Sequence, residues 1–210
     1  MTNPIEIARP NALGRRSLLQ ATLTAAFLAR CLTDARAESP IGSVAAVRGD
    51  VFKEVRAEHM ALAAAAPLFV GDVVGTGRVS RATLRLGADT VVLMGADVLL
   101  TIDSFLADAG GEITLQSGPI LYDHDGGAAP MRIRSTFGQI AVRGTRFFAG
   151  PSAGVFGVFV ERGSVEVTTT GGRVIVEAGQ GTNIAQIGAN PTPAAPWKPE
   201  RIRAALESVQ

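Results

Sequence analysis

The 210-residue chain is 47% hydrophobic and 19% charged, with 24 glycines and a formal net charge of +1. This composition excludes wholesale disorder and favours one modest domain of short strands and turns. The first 37 residues hold five arginines and two acidic residues, and subtracting them from the totals of 20 and 19 leaves a net charge of −2. The charge therefore indicates neither a nucleic-acid partner nor a membrane partner.

The N-terminus has the features of an export signal. Arg15 and Arg16 precede an apolar core at residues 18–29, which is too short to span a bilayer. Ala35 and Ala37 are small residues at the two positions that a signal peptidase recognises, which predicts cleavage after Ala37. The paired arginines are typical of a twin-arginine signal for a periplasmic protein, and an ordinary secretory leader is the alternative.

The single cysteine, Cys31, lies inside this leader. Residues 28–31 have the outline of a lipoprotein box, but Arg30 stands where a small residue is needed. We therefore expect no lipidation. The processed chain has no cysteine, so its stability comes from packing rather than from disulfides.

Several segments after the leader share one pattern. An alternating strand runs to a glycine, a β-branched residue follows two positions later, and a second strand continues. A strand that bends at glycine and continues is typical of a bulge or a corner. The pattern predicts an all-β fold, with short strands and glycine corners in an irregular stacked or wrapped architecture that is solenoid-like or a sandwich. It occurs at residues 44–51, 113–120 and 158–167, and more faintly at 137–140.

Two segments depart from this pattern. Residues 57–66 are alanine-rich, which favours one or two helical turns. Near the C-terminus, apolar residues at helical spacing predict a short amphipathic helix that covers an open end or edge of the β-body, with Trp197 as its anchor. The predicted organisation is an export signal at 1–37, a β domain at 38–188, a proline-rich linker at 189–199 and the helix at 200–210.

Chemistry-bearing clusters are few. His59 and His124 have no catalytic or zinc-ligand spacing, and no nucleophile lies beside a base, so no catalytic residue or cofactor is predicted. Asp123, His124 and Asp125 form one cluster of metal-capable side chains. A solvated turn, closed by the glycines at 126 and 127, is favoured over a metal site.

The arginines allow two interpretations. Arg143, Gly144 and Thr145 could bind an anion. Alternatively, Arg143 projects from an edge, Gly144 takes a φ value that other residues avoid, and Thr145 bonds to the backbone. A basic patch for an acidic glycan or partner could form from the arginines at 132, 134, 143 and 146, and a solvated strand face is the alternative.

Two motifs carry a family resemblance. The strand and turn at residues 137–148 and the strand–glycine–strand at 158–167 together resemble the core signature of the FecR-domain family. This family is a periplasmic module first met in an iron-citrate signalling system. The resemblance spans roughly residues 41–185. Its motif residues, which the resemblance implies are mostly structural, are Val142, Arg143, Gly144, Thr145, Phe147 and Gly163.

The resemblance implies an exported all-β module that acts by contact with another molecule. In the founding members of the family, this domain is joined to a cytoplasmic helical domain that binds a sigma factor. Here 17 residues precede the apolar core, too few for such a domain, so we expect a stand-alone form without the anti-sigma role.

Two hypotheses of function follow. The first is a non-enzymatic periplasmic module that binds a protein or an envelope polymer, with a place in envelope sensing or signalling and no membrane span after processing. The second is a secreted carbohydrate-active or otherwise catalytic β-protein that uses surface carboxylates. Its candidate residues are Asp72, Asp89, Asp97 and Asp103. A co-purified partner would support the first hypothesis, and turnover of an envelope glycan would support the second.

Overall fold

The computed structural model describes residues 39–106, 109–125 and 130–210. The predicted export signal, with Ala35 and Ala37, and the glycine pair at 126 and 127 lie outside these ranges. Within them, no helix is both long enough and apolar enough to cross a membrane.

The described residues form two open β-sheets of nine strands each. Neighbouring strands are antiparallel, except that β9 and β11 are parallel. In spatial order the first sheet is β18 (Ala195–Pro196), β17 (Gln180–Ile184), β14 (Val155–Arg162), β13 (Arg146–Ser152), β10 (Ile120–His124), β7 (Thr90–Met94), β6 (Arg81–Leu86), β1 (Gly42–Arg48) and β4 (Pro67–Leu68). The second is β16 (Arg173–Glu177), β15 (Ser164–Thr168), β12 (Gly138–Val142), β11 (Met131–Ser135), β9 (Gly110–Ser117), β8 (Leu99–Leu106), β5 (Val73–Thr76), β2 (Val51–Val55) and β3 (Glu58–Ala61).

The main hydrophobic core contains side chains from both sheets. Leu84 and Leu86 of the first sheet and Ile113 and Leu115 of the second belong to one buried cluster. Alternation in each strand produces this arrangement, since every second side chain points to the same face. Burying one such side chain completely contributes about 1.5–3 kcal/mol. The predicted all-β architecture with a C-terminal helix is therefore confirmed.

Three of the predicted glycine corners are places where the chain passes from one sheet to the other. Gly49 separates β1 from β2, Gly118 separates β9 from β10, and Gly163 separates β14 from β15. Gly138 differs, because it begins β12 after a hairpin that stays within the second sheet. A bend at these positions lets one continuous segment contribute a short strand to each sheet.

The helical turns predicted at residues 57–66 are wrong. Residues Glu58–Ala61 form β3, which pairs with β2. Arg56 and Ala57 both have positive φ angles, +53° and +65°, which is the geometry of a tight hairpin turn. Pairing along β2 outweighs the helix propensity of alanine, which is a weak preference that tertiary context overrides.

The C-terminal helix, α1 (Pro199–Glu207), lies on the outer face of the first sheet. Trp197, just before it, is only 8% exposed and packs against Phe148 and Phe159, from central strands of that sheet. Arg201 of α1 stacks on the Trp197 ring at 3.5 Å. The helix thus has the expected anchor, but it covers a sheet face rather than an open end or edge. The apolar side chains that β10, β13 and β14 present outward explain this position.

Candidate functional site

A row of side chains crosses five strands on the outer face of the second sheet. Arg132 lies opposite Glu112 on one neighbouring strand and opposite Ala141 on the other. Ala141 lies opposite Glu166, and Glu166 lies opposite Ile175. Most neighbours of these residues along their strands are buried in the core, so the alternation directs this row away from the core.

The row borders a groove with a volume of about 680 Å³. Gly110, Gly111 and Ala141 are among its small residues, and they leave space between the longer side chains. Two large apolar side chains also line it, Leu106 and Ile175, which are 68% and 61% exposed. We call this surface the arginine groove, because Arg132 and Arg143 both line it, together with Glu112 and Glu166.

The charges along the arginine groove are unequally neutralised. Glu112 accepts a hydrogen bond from Arg134 at 3.0 Å and lies 3.5 Å from Arg132. The hydrogen bond from Arg134 is the main reason that the pKa of Glu112 is lowered. Arg143 is exposed and makes no ion pair or side-chain hydrogen bond with any described residue. It is therefore the cation in this groove that is most available to an outside anion.

The four arginines of the predicted basic patch do not meet. Arg132, Arg134 and Arg143 belong to or follow strands of the second sheet, whereas Arg146 begins β13 in the first. Arg146 donates to Glu161 at 2.7 Å and also binds Asp123. Because two carboxylates already neutralise it, Arg146 belongs to an ion-pair cluster on the other sheet.

Asp123 and His124 are the last two residues of β10, and Asp125 follows the end of this strand. Asp123 and Asp125 both bind Arg162, at 3.0 and 3.1 Å. His124 is buried, and its Nδ1 lies 3.0 Å from the hydroxyl of Thr90. Asp123 and His124 therefore belong to β10, not to a solvated turn as expected. Among the described residues, no group of three His, Cys, Asp or Glu could hold a metal ion.

The motif residues at 142–147 build the corner between β12 and β13. Val142 and Phe147 are buried in the core, and Gly144 has a φ angle of +61°, as the structural interpretation requires. Thr145 is fully buried, but its hydroxyl has no hydrogen-bond partner among the described residues, so the expected bond to the backbone is absent. Val142 and Arg143 are the members of this set that line the arginine groove, and Arg143 is the exposed one.

A second corner packs against the first. Gly163 has a φ angle of +81°, and a β-carbon built on it would lie 2.9 Å from the carbonyl oxygen of Gly144 and 2.7 Å from Cγ2 of Thr145. The two glycine motifs, separated along the chain, thus form one contact. This contact lies where β12 ends and β15 begins, beside the arginine groove.

The carboxylates of the catalytic hypothesis are dispersed. Asp72 is buried, binds Lys53, and accepts a hydrogen bond from the backbone of Phe69 at 2.9 Å. Asp103 accepts a hydrogen bond from Thr114. Asp89 and Asp97 are exposed in turns. None of the four carboxylates is hydrogen-bonded to another within the described ranges, so the structure provides no paired acid and base from this set.

Sequence reasoning missed most of the arginine groove. Glu112 and Ile175 lie outside the two family motifs, and Ala141 and Glu166 lie inside them without being motif residues. The importance of these four residues comes from their positions in one row across the sheet. The only sequence signal was alternation, which indicates that each faces away from the core but not which residues become neighbours.

Comparisons with known proteins agree with this architecture. Residues 72–166 match the family model described as FecR protein, a stretch that includes both glycine corners. The match is shorter than the span of roughly 41–185 over which the motifs resemble the family. No curated protein matches the chain significantly.

Two crystal structures, each of a candidate anti-sigma factor from Parabacteroides distasonis, at 1.65 Å and 2.50 Å resolution, share the fold, with TM-scores of 0.54 and 0.53. Each is 15% identical to this chain, which shows the fold alone. The similarity covers 64% of this chain and 64% and 63% of those chains. The family match and the resemblance of the motifs around Gly144 and Gly163 agree, and residues 72–166 of this chain match a FecR domain.

Proposed function

We propose that this chain is an exported, non-enzymatic FecR-domain module that binds a protein or an envelope polymer and acts in envelope sensing or signalling. The family match supports a signalling role, and so does the fold shared with candidate anti-sigma factors. The predicted leader supports a periplasmic location, with cleavage after Ala37. The domain boundaries predicted from the sequence are part of this proposal.

The arginine groove carries the proposal. It combines the guanidinium of Arg143, which has no partner among the described residues, with small residues that let a ligand approach the sheet and exposed apolar side chains on Leu106 and Ile175. Charged and apolar groups that converge on a concave surface are typical of recognition sites. The motif places Arg143 next to the rigid corner at Gly144, so its position is set by the fold rather than by a flexible loop.

Photo-crosslinking from inside the groove tests the proposal. Ala141 is replaced by benzoyl-phenylalanine in cells that export the chain, and adducts are identified by mass spectrometry. The matched control carries the same group at Arg85, an exposed residue of β6 on the other sheet. We expect adducts from position 141, and we expect Arg143→Glu to abolish them.

The outcomes separate binding from folding. Arg143→Ala should leave the free energy of unfolding within about 0.5 kcal/mol of the original value, because Arg143 is exposed and makes no ion pair with any residue that the structure describes. Adducts at 141 that persist in Arg143→Glu, or adducts from position 85 alone, would place the binding surface elsewhere. Turnover of an envelope glycan by the purified protein would refute its non-enzymatic character.

A further inference from the structure

One edge of the second sheet, β16, is longer than either edge of the first sheet and contains no proline. The edges of the first sheet, β4 and β18, are two residues long and each contains a proline, Pro67 or Pro196. Short edges and prolines prevent pairing with another chain. In contrast, β16 has five residues, and the three central ones, Val174, Ile175 and Val176, are β-branched. It pairs with β15 through a regular register without a bulge.

The charges on β16 are arranged symmetrically about its centre. Arg173 and Glu177 stand at its two ends, both exposed, and neither makes an ion pair with another described residue. Ile175 lies midway between them on the same face and is 61% exposed. The order along the strand is cation, apolar residue, anion. In an antiparallel copy the order is reversed, so each charge would face the opposite charge.

We propose that β16 pairs antiparallel with β16 of a second copy of this chain, with Ile175 opposite Ile175. Arg173 of each copy then lies opposite Glu177 of the other, and Val174 lies opposite Val176. Opposite charges directly across an antiparallel pair stabilise it, and like charges destabilise it. Parallel pairing in register would place like charges opposite each other. A register shift of one residue would place the exposed face of one copy on the same side as the core face of the other.

The symmetry of this pairing has a consequence for the arginine groove. A two-fold axis perpendicular to the sheet relates the copies, so their outer faces point to the same side. Ile175 lines the groove and also lies at the junction. The two grooves are therefore adjacent, and one ligand can contact both. The pairing itself does not depend on the proposed function, since it follows from β16 alone.

Charge reversal in sedimentation-velocity experiments tests the register. The purified protein should show a dimer that increases with concentration, since a five-residue strand gives a small interface. Arg173→Glu or Glu177→Arg should each weaken self-association about tenfold or more, because each change makes both symmetric pairs repulsive. The double variant should restore the dimer. An equimolar mixture of the two single variants should also form dimers, because each supplies the charges that the other lacks.

A second measurement locates the contact. Ile175→Cys should form an intermolecular disulfide on mild oxidation, because directly opposed residues of antiparallel strands have neighbouring β-carbons. Arg85→Cys, exposed on the other sheet, is the control and should form no intermolecular disulfide. A chain that is monomeric at all concentrations would overturn the proposal. So would single charge reversals that dimerise as well as the original protein, or a mixture that does not dimerise.

Discussion

Alanine substitutions at the two packed corners separate backbone strain from steric conflict. Gly144 and Gly163 have φ angles of +61° and +81°, in the left-handed region that side chains disfavour. A β-carbon on Gly144 would meet nothing within 4 Å. A β-carbon on Gly163 would lie 2.9 Å from a backbone oxygen and 2.7 Å from a methyl group of Thr145. The same substitution therefore has different consequences at two residues that contact each other.

The magnitudes follow from these surroundings. An alanine in the left-handed conformation costs about 1–2 kcal/mol. The lower conformational entropy of the unfolded chain offsets about 0.4–1 kcal/mol of this cost. Gly144→Ala should therefore lower the free energy of unfolding by about 0.5–1.5 kcal/mol. Gly163→Ala adds overpacking against backbone, which costs about 1–3 kcal/mol more. We expect a total loss of about 2–4 kcal/mol at Gly163, a large part of a typical stability.

Urea unfolding followed by the fluorescence of the single tryptophan measures both changes. Gly154→Ala is a matched control, because Gly154 has a φ angle of +80° in a hairpin and a β-carbon there would also meet nothing within 4 Å. Gly154→Ala and Gly144→Ala should be similar. A Gly163→Ala variant as stable as the control would show that the two corners are not in contact, and the reasoning would fail.

Three further predictions concern the groove, the helix and the leader. The pKa of Glu112 is lowered from its ordinary value of 4.5, so its ion pairs stabilise the fold above that pH, and this stabilisation is lost as the pH falls further. Glu112→Gln should therefore lower the free energy of unfolding by about 0.2–1 kcal/mol at neutral pH and not at all in strong acid, measured by urea unfolding. A loss that persists in acid would contradict this. Trp197→Ala should cost about 3–5 kcal/mol because it removes a buried ring, measured by urea unfolding followed by circular dichroism, since this variant lacks the single tryptophan; a loss below about 1 kcal/mol would mean that α1 is not anchored. Replacing Arg15 and Arg16 by lysine should block export, and mass spectrometry of the original exported protein should show cleavage after Ala37; unimpaired secretion would indicate the general route.

The local features of this fold could be predicted from the sequence because their causes are local. Alternation of apolar and polar residues decides which side chains of a strand share a face, and a glycine before a β-branched residue marks a bend. The corners at Gly49, Gly118 and Gly163 follow from these two signals. The positive φ of Gly144 agrees with the structural interpretation of residues 143–145, in which this glycine takes a φ value that other residues avoid.

The position of the C-terminal helix depends on an apolar surface whose residues are far apart in the sequence. Helical spacing predicted α1, and a lone tryptophan predicted an anchor. The cluster that receives Trp197 is formed by Leu121, Phe148 and Phe159, which belong to three separate strands. Only their pairing creates an apolar face on the outside of the first sheet, so the helix could not be placed from the sequence.

The arginine groove shows the same distinction at the candidate site. Arg143 could be found from its motif, but its surroundings come from β9, β11, β15 and β16. Ala141 is a site residue because β11 places Arg132 on one side of it and β15 places Glu166 on the other. Arg146, only three residues beyond Arg143, lies in the other sheet. Alternation gives the face of each residue, whereas the register between distant strands decides its neighbours, and that register is a property of the folded chain.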